Sequence, residues 1–283
     1  MERKIVHVVG TGTIGEPLIG LLCDYENKLG IDEVTFHKNS ALKNDKSKVF
    51  DLIERGARLA VDDGKENEFK KIGMDPDLGK EEAIKRASVV IDCTPKGVGR
   101  ENKLDYYKKF SDDVKGFLAQ GSEDGFGKKY ARGINDAALN SKDQFIQIVS
   151  CNTHNMACIT KTLALNDNPD NLVEGNYVCI RRANDISQPE NFIPSPQVGS
   201  HPDEKYGTHH AADAADLFST LGMDLNLFSS AMKVNSQYMH IMRFNLKLKE
   251  STSLNEIKDK IYNNDHIAMT TKDLTSTVFS FSR

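Results

Sequence analysis

Between an apolar run, Ile5 to Val9, and a helical pattern through Leu18, Leu21 and Leu22 lies Gly10-Thr11-Gly12-Thr13-Ile14-Gly15. A buried strand that turns through glycines straight into a helix narrows the chain to doubly wound α/β folds that bind dinucleotides. The three glycines serve in turn for a tight turn, for close approach of backbone to a pyrophosphate, and for close packing of helix on strand. The helix N-terminus then turns its unpaired N–H groups to the diphosphate. Gly10, Gly12, Thr13, Ile14 and Gly15 are the expected cofactor contacts. The competing reading is a glycine-rich turn that binds nothing. A second strand, Glu33 to Phe36, ends in His37-Lys38-Asn39-Ser40. An acidic residue here would hydrogen-bond the ribose 2′-hydroxyl of NAD, whereas Lys38 would pair the 2′-phosphate of NADP. The sequence therefore leans to NADP, with NAD as a second cofactor, unless Lys38 is only a solvated loop charge.

Strand and helix continue to alternate through the first half. A charged helix, Ala41 to Arg55, precedes a strand-like Ala57 to Val61, and a helix ending near Ala87 precedes the buried strand Ser88 to Cys93. Ligands of open α/β sheets bind beyond the carboxyl ends of the strands, so Thr94-Pro95-Lys96-Gly97-Val98-Gly99 should approach the cofactor. A helix, Leu104 to Phe110, leads to a strand, Val114 to Ala119, with Gln120-Gly121-Ser122 at its tip. The pattern predicts a largely parallel sheet with helices on both faces.

The apolar strand Gln144 to Val149 runs into Ser150-Cys151-Asn152-Thr153-His154 and a helix through Leu165. A cysteine in the first turn of a helix meets a partial positive charge, which favours thiolate and can hold a developing oxyanion. With a dinucleotide loop in the same chain, this suggests a thiol that holds an aldehyde while nicotinamide takes the hydride. The bland alternative is an inert buried cysteine. Cys158 lies about 10.5 Å further along the helix, too far to pair with Cys151. Beyond Cys151 the texture changes. Val173 to Arg182 reads as a strand, and irregular segments between Pro169 and Pro202 hold five of the eight prolines. Met242 to Leu248 and Thr275 to Phe281 are further strand candidates with alternating polarity, which suits a sheet with one wetter face. The expected fold class is α/β, a Rossmann-type parallel sheet over residues 1–150 followed by an α+β catalytic domain over 151–283.

The 283 residues exceed one typical domain, and a net charge of −4 gives no global pull toward nucleic acid or an anionic membrane. No apolar run reaches transmembrane length, and Met1-Glu2-Arg3-Lys4 leads straight into a strand, so neither a membrane span nor a secretory leader is expected. Five cysteines without a disulfide framework fit a reducing, cytoplasmic compartment. His209-His210 with Asp213 invites a metal reading, but nothing in sequence completes a ligand set; a helix start is the simpler reading and no metal is expected.

Taken in order, several segments resemble one family. These are Gly12-Thr13-Ile14-Gly15, Asp92 to Gly99, Gln120 to Glu123, Val149 to Thr153, Arg181-Arg182-Ala183, Ser200-His201 and Asp273 to Thr277. Together they resemble archaeal-type (type II) glyceraldehyde-3-phosphate dehydrogenase, from the N-terminus to the end of the chain. The resemblance implies reversible oxidative phosphorylation of a small phosphorylated aldehyde with inorganic phosphate, a step of glycolysis and gluconeogenesis, in a homotetramer. It implies Cys151 as nucleophile. Thr94, Pro95, Gly97, Gln120, Gly121 and Arg182 join the cofactor contacts, with Lys38 at the ribose. Ser150, Asn152, Thr153, Arg181 and His201 are the substrate contacts. His240, or His154, is the base that takes the hemithioacetal proton. Both histidines have plain alternatives, as a structural residue before a strand and as a surface cap.

The departures are specific. The family often reads Cys-Asn-Thr-Thr-Gly, where this chain has His154 and Asn155. It usually has Ser-His-His-Gly-Pro, where Ser200-His201-Pro202-Asp203 stands here. Its Met-His-x-His pair is reduced to Met239-His240-Ile241-Met242. It usually continues through a further strand and a closing helix, so an incomplete working unit is expected. Two other readings remain open: an acyl-CoA reductase forming a semialdehyde, and a non-catalytic, redox-responsive dinucleotide-binding protein.

Overall fold

The computed structural model describes residues 3–121, 123–165, 168–184 and 192–281. Ser122 of the expected strand-tip motif, with Ser282 and Arg283, lies outside them. The chain divides into two compact units, Met1–Lys128 with Ser141–Ile148, and Lys129–Asn140 with Val149–Arg283.

The first unit is α/β. Its strands are β1 (Ile5–Val9), β2 (Glu33–His37), β3 (Arg58–Val61), β4 (Leu78–Gly79), β5 (Val89–Asp92), β6 (Gly116–Gln120), β7 (Lys128–Tyr130) and β8 (Phe145–Ile148). They are ordered β4-β3-β2-β1-β5-β6-β8-β7. Every pairing from β4 to β8 is parallel. Helices α1 (Gly15–Asp24), α2 (Glu26–Leu29), α3 (Lys46–Glu54), α4 (Glu66–Lys71), α5 (Lys80–Arg86) and α6 (Val98–Asp105) connect them. Successive strand residues face opposite sides of a sheet, and the core divides accordingly. Val8 packs with Ile19, Val34, Phe36 and Leu59, whereas Val9 packs with Ile84, Val90, Tyr107 and Phe117. The strand order reverses between β1 and β5, which is where an open sheet of this kind leaves a binding crevice.

The second unit carries a mixed sheet of β9 (Leu172–Arg181), β10 (Gln197–Val198), β11 (Leu227–Lys233) and β12 (Ile241–Leu248), ordered β10-β11-β9-β12. β9 runs parallel to β11 and antiparallel to β12. α7 (Cys151–Thr160), extended by a π-helical turn over Lys161–Leu165, packs with α8 (His209–Ser219) around Met156, Tyr177, Leu217 and Phe218. α9 (Leu254–Tyr262) and α10 (Thr275–Phe281) follow.

Several elements differ from the sequence pattern. Thr275 to Phe281 is a helix, not a strand: Val278 N–H donates to Leu274 O and the Ser280 hydroxyl to Ser276 O, four residues back. Alternating polarity over seven residues is a weak strand signal when no neighbouring strand pairs with the run. β11 was not foreseen, because Leu-Phe-Ser-Ser-Ala-Met-Lys mixes small polar residues into the run. α9 begins with a reciprocal capping box between Ser253 and Glu256, a local signal the periodicity obscured. The helix expected at Leu104 to Phe110 begins earlier, at Val98, and ends in a 3-10 turn over Tyr107–Phe110. The helix expected from Ala41 begins only after a 3-10 turn at Lys43–Asp45.

One buried polar group tests the first unit's core. His7 in β1 is fully buried, its Nδ1 is 2.7 Å from the Thr35 hydroxyl, and its Nε2 has no hydrogen-bond partner among the described residues. Burial, with repulsion from His37 and Lys80, pushes its pKa down to about 3. The unfolded chain therefore binds a proton at His7 between about pH 6.5 and 3 that the folded chain refuses. Stability is fully present above pH 6.5 and is lost as pH falls through that window. The expected loss is about 1.4 kcal/mol per pH unit. Denaturant unfolding between about pH 7 and 4.5 should contain this contribution beside that of the other buried histidine, His210, and His7→Gln should flatten the slope by about 1.4 kcal/mol per pH unit. Parallel slopes for the two proteins would contradict the assignment.

Candidate active site

In the first unit the glycine loop follows β1. Gly10 has φ +96, and a Cβ there would lie 3.2 Å from the Cys93 carbonyl. At Gly15 a Cβ would come within 1.9 Å of Gly10 O, so helix and strand tolerate no side chain at that point. A Cβ on Gly12 would meet nothing within 4 Å. The turn and the packing are thus closed at two glycines and open at the third, the cradle a pyrophosphate needs. Thr13 and Ile14 complete the turn into α1, and Ile14 is exposed.

Beside this loop, the segment after β5 is braced by two buried carboxylates. Asp92 accepts from Thr94 N–H (2.9 Å), the Thr94 hydroxyl, Asn102 Nδ2 (2.9 Å) and the Tyr107 hydroxyl (2.5 Å). Burial and the Asp92 charge raise the Tyr107 phenol well above its ordinary value, so it stays a donor. Glu123 accepts from Gly97 N–H (2.6 Å) and Arg100 N–H (3.2 Å). Thr94, Pro95 and Gly97 are thus held by side chains beneath them. Gln120 ends β6, and Gly121, with φ +81, donates to Ile148 O and accepts from Gln147.

The end of β2 is less open than its sequence implies. Lys38 is buried, and its ammonium lies 2.5 Å from Asp45. The expected 2′-phosphate ligand is already neutralised within the fold. Burial pushes the Asp45 carboxyl up, but Lys38 and Lys48 outweigh it and hold it below its ordinary value.

In the second unit Ser150 caps α7. Its hydroxyl accepts from Thr153 N–H at 3.3 Å and pairs with the Thr153 hydroxyl at 2.9 Å, while its carbonyl accepts from His154 N–H. Asn152 and Thr153 are buried. Cys151 is exposed in the first turn, whereas Cys23, Cys93, Cys158 and Cys179 are buried. Burial raises those four thiols, Cys23 and Cys179 to about 11 and Cys93 to about 12, which keeps them protonated. Among the five, Cys151 alone combines exposure with a helix N-terminus.

Three histidines are held in different ways. The His154 ring is 3.0 Å from Arg132 O, so Nε2 carries a proton and donates to a backbone carbonyl. His240 Nδ1 accepts from Arg182 N–H at 3.1 Å, which places the proton of the neutral ring on Nε2. It is preceded by Met239, whose φ of 57 is the one positive value at a non-glycine among the described residues. Backbone strain of this kind persists where the surroundings hold it. His201 Nε2 accepts from Ala231 N–H at 3.2 Å, and ties its loop to β11.

His210, which the sequence offers only as a metal candidate or a helix start, has a contact that sequence reading missed. It is buried at the start of α8, with Nδ1 3.5 Å from Ser150 Oγ and Nε2 without a partner among the described residues. Burial, then repulsion from His209, Arg181 and His240, pushes its pKa down to about 3, so it is neutral at working pH. A His-His pair does occur in this chain, at His209-His210 in the first turn of α8. Only the Ser150 contact, which needs the fold, separates this pair from an ordinary helix start.

Arg181 ends β9, and its buried Nε has no partner among the described residues. It lines a cavity of about 280 Å³ with Lys233, Gln197, Gly199, Ser200 and Met232. Lys233 is the register partner of both Arg181 and Gln197. Two cations on one rim suit a small anion. Arg182 is used differently, its Nε donating to Asn184 O. Among the described residues no group of three or more His, Cys, Asp or Glu is placed to hold a metal, and no helix is long and apolar enough to cross a membrane.

The chain thus combines a Rossmann-type unit with a mixed-sheet unit that exposes a cysteine in the first turn of a helix. No family profile matches the chain. It is 30% identical over 224 residues to a glyceraldehyde-3-phosphate dehydrogenase of Methanobacterium formicicum, covering 72% of this chain and 60% of that protein. It is 26% identical over 284 residues to glyceraldehyde-3-phosphate dehydrogenase 2 of Methanosarcina acetivorans, covering 98% and 77%. Against glyceraldehyde-3-phosphate dehydrogenase 1 of Methanosarcina barkeri it is 25% identical over 293 residues, covering 100% and 79%. The chain is a distant homologue of the archaeal glyceraldehyde-3-phosphate dehydrogenases over nearly its whole length.

The placement of α8 depends on a buried ion pair. Lys129 Nζ lies 2.7 Å from Asp213, one turn after His210, and 2.6 Å from the more exposed Asp216. Burial would depress the ammonium, but the two carboxylates outweigh it and hold it above its ordinary value. Removing one partner of a buried pair leaves an uncompensated charge and costs about 3 kcal/mol or more. Lys129→Met should lower stability by about that amount, and adding Asp213→Asn should recover most of it. A double variant no more stable than Lys129→Met would show that the pair is not the determinant.

Proposed function

We propose that the chain is a phosphorylating, thiol-dependent glyceraldehyde-3-phosphate dehydrogenase that works in the cytoplasm as a homotetramer. The observation that carries the reading is Cys151, exposed in the Ser150-capped first turn of α7, in a unit that also holds the Arg181–Lys233 cavity and in a chain homologous to that family. The Cys151 thiolate attacks the aldehyde carbon and forms a hemithioacetal. The first-turn N–H groups of Cys151 and Asn152, with the helix dipole, hold the oxyanion. Ser150 takes up the Thr153 and His154 N–H groups and so fixes the turn.

The oxyanion exchanges with its protonated hydroxyl form, and from that form a base must remove the proton as hydride leaves. His240 is the residue the family resemblance puts forward, and His154, one turn after Cys151, is the other candidate the sequence offers. In this fold both carry the proton of the neutral ring on Nε2, and that nitrogen is a donor. His240 Nδ1 is already taken by the Arg182 N–H. His210 is a third candidate: it is neutral and lies at the nucleophile's cap, 3.5 Å from Ser150 Oγ. Its low proton affinity rises when an anion binds Arg181, because that removes one of the repulsions on the ring.

Gly10 to Gly15 would hold a dinucleotide, which when bound would supply the hydride acceptor, and the feature that fits it is the open face over Gly12. Inorganic phosphate on Arg181 and Lys233 releases the acyl group from Cys151 as an acyl phosphate, and the reverse direction reduces that product. The cavity, about 280 Å³ with Arg181 and Lys233 on its lining, has room for inorganic phosphate.

Cys151→Ser should lower turnover at least ~1,000-fold, with dinucleotide affinity changed less than about twofold. Turnover of the wild-type chain should require inorganic phosphate. Substantial turnover in Cys151→Ser would sink the covalent mechanism, and a requirement for CoA would move the chain to the acyl-CoA reductases.

A further inference from the structure

The charges around the end of β2 carry an inference about cofactor choice. It rests on the dinucleotide reading of the first unit. Asp45, in the 3-10 turn after β2, bridges two lysines: Lys38 at 2.5 Å and Lys48 at 3.3 Å. Lys48 also donates to Thr11 O of the glycine loop at 3.1 Å and lies 3.7 Å from Glu16. The carboxylate is therefore one lysine away from the loop that cradles the pyrophosphate. Further out, Lys65 pairs with Asp62 at 2.8 Å and donates to Asn39, and His37 Nε2 is 2.9 Å from the same Asp62. Each lysine of this group already has a carboxylate partner.

The ribose 2′ position of a bound dinucleotide lies at the end of the second strand. A 2′-phosphate brings nearly two negative charges and three acceptor oxygens. Here it would find Lys38 only 7% exposed and already held, and it would face the Asp45 carboxylate at close range. A 2′-hydroxyl has no such conflict, since it can donate to a carboxylate and accept from a lysine.

We propose that Asp45 is the specificity-determining residue of the cofactor site, selecting NAD over NADP by sequestering Lys38 and Lys48. Lys38 is then a latent phosphate ligand, not the NADP determinant its position in the sequence suggests. The negative charge carries the selection, so a change that keeps the shape but removes the charge converts the site.

The test is equilibrium binding of NAD and NADP to the full chain by calorimetry, which needs no catalytic turnover. Wild type should bind NAD at least about tenfold more tightly than NADP, and Asp45→Asn should tighten NADP at least about tenfold and change NAD less than about threefold. Asp45→Asn with Lys38→Met should lose that gain, and Asp45→Glu should keep the preference for NAD. Thermal melting of each protein without dinucleotide checks that it is folded. A wild-type preference for NADP, or an Asp45→Asn protein with unchanged NADP affinity and an unchanged melt, would overturn the role of Asp45. A folded wild type that binds neither dinucleotide would overturn the reading of the first unit, and this proposal with it.

Discussion

The first turn of α7 is held from two sides by one hydroxyl. Ser150 Oγ accepts from Thr153 N–H, and the same oxygen lies 3.5 Å from His210 Nδ1 at the start of α8. Two helix N-termini thus meet at a single small residue. The α7 N-terminus brings its partial positive charge to the turn where Cys151 is exposed. The same field disfavours a proton on His210, which burial and Arg181 already keep neutral. An exposed cysteine at the turn and a neutral imidazole beside its cap then follow from one arrangement. The Lys129–Asp213 pair anchors α8 one turn further on, so the geometry at Ser150 does not depend on α7 alone.

The dinucleotide side is built on buried negative charge in place of a second helix. Asp92 and Glu123 receive at least six donors between them, and those donors belong to Thr94, Gly97, Arg100, Asn102 and Tyr107. Charge-assisted hydrogen bonds are about twice as strong as neutral ones, and here they fix the loop that follows β5. Asp45 applies the same chemistry at the end of β2, where it restrains two lysines.

Much of the fold was legible because strand and helix alternate with apolar runs of the right length. β1, β2, β5 and β9 are found within a residue or so of where alternation and glycine placed them. Legibility failed where local pattern and tertiary partner disagree. Thr275 to Phe281 alternates like a strand but coils. Leu227 to Lys233 looks nondescript yet is the parallel neighbour of β9. In the candidate site, Cys151 and the glycines stood out because strand, turn and helix are contiguous in the chain. His210 did not, since its partner Ser150 lies sixty residues away. Lys38 was visible as a charge, but the carboxylate that cancels it sits seven residues on, past an irregular turn.

The central claim is that Cys151 carries an acyl group during turnover. The most direct measurement is intact-mass and fragment mass spectrometry of the full chain after mixing with glyceraldehyde 3-phosphate and NAD in phosphate-free buffer. The account predicts a phosphoglyceroyl adduct on Cys151 that inorganic phosphate discharges. No adduct at saturating substrate and dinucleotide, or an adduct on another cysteine, would contradict it.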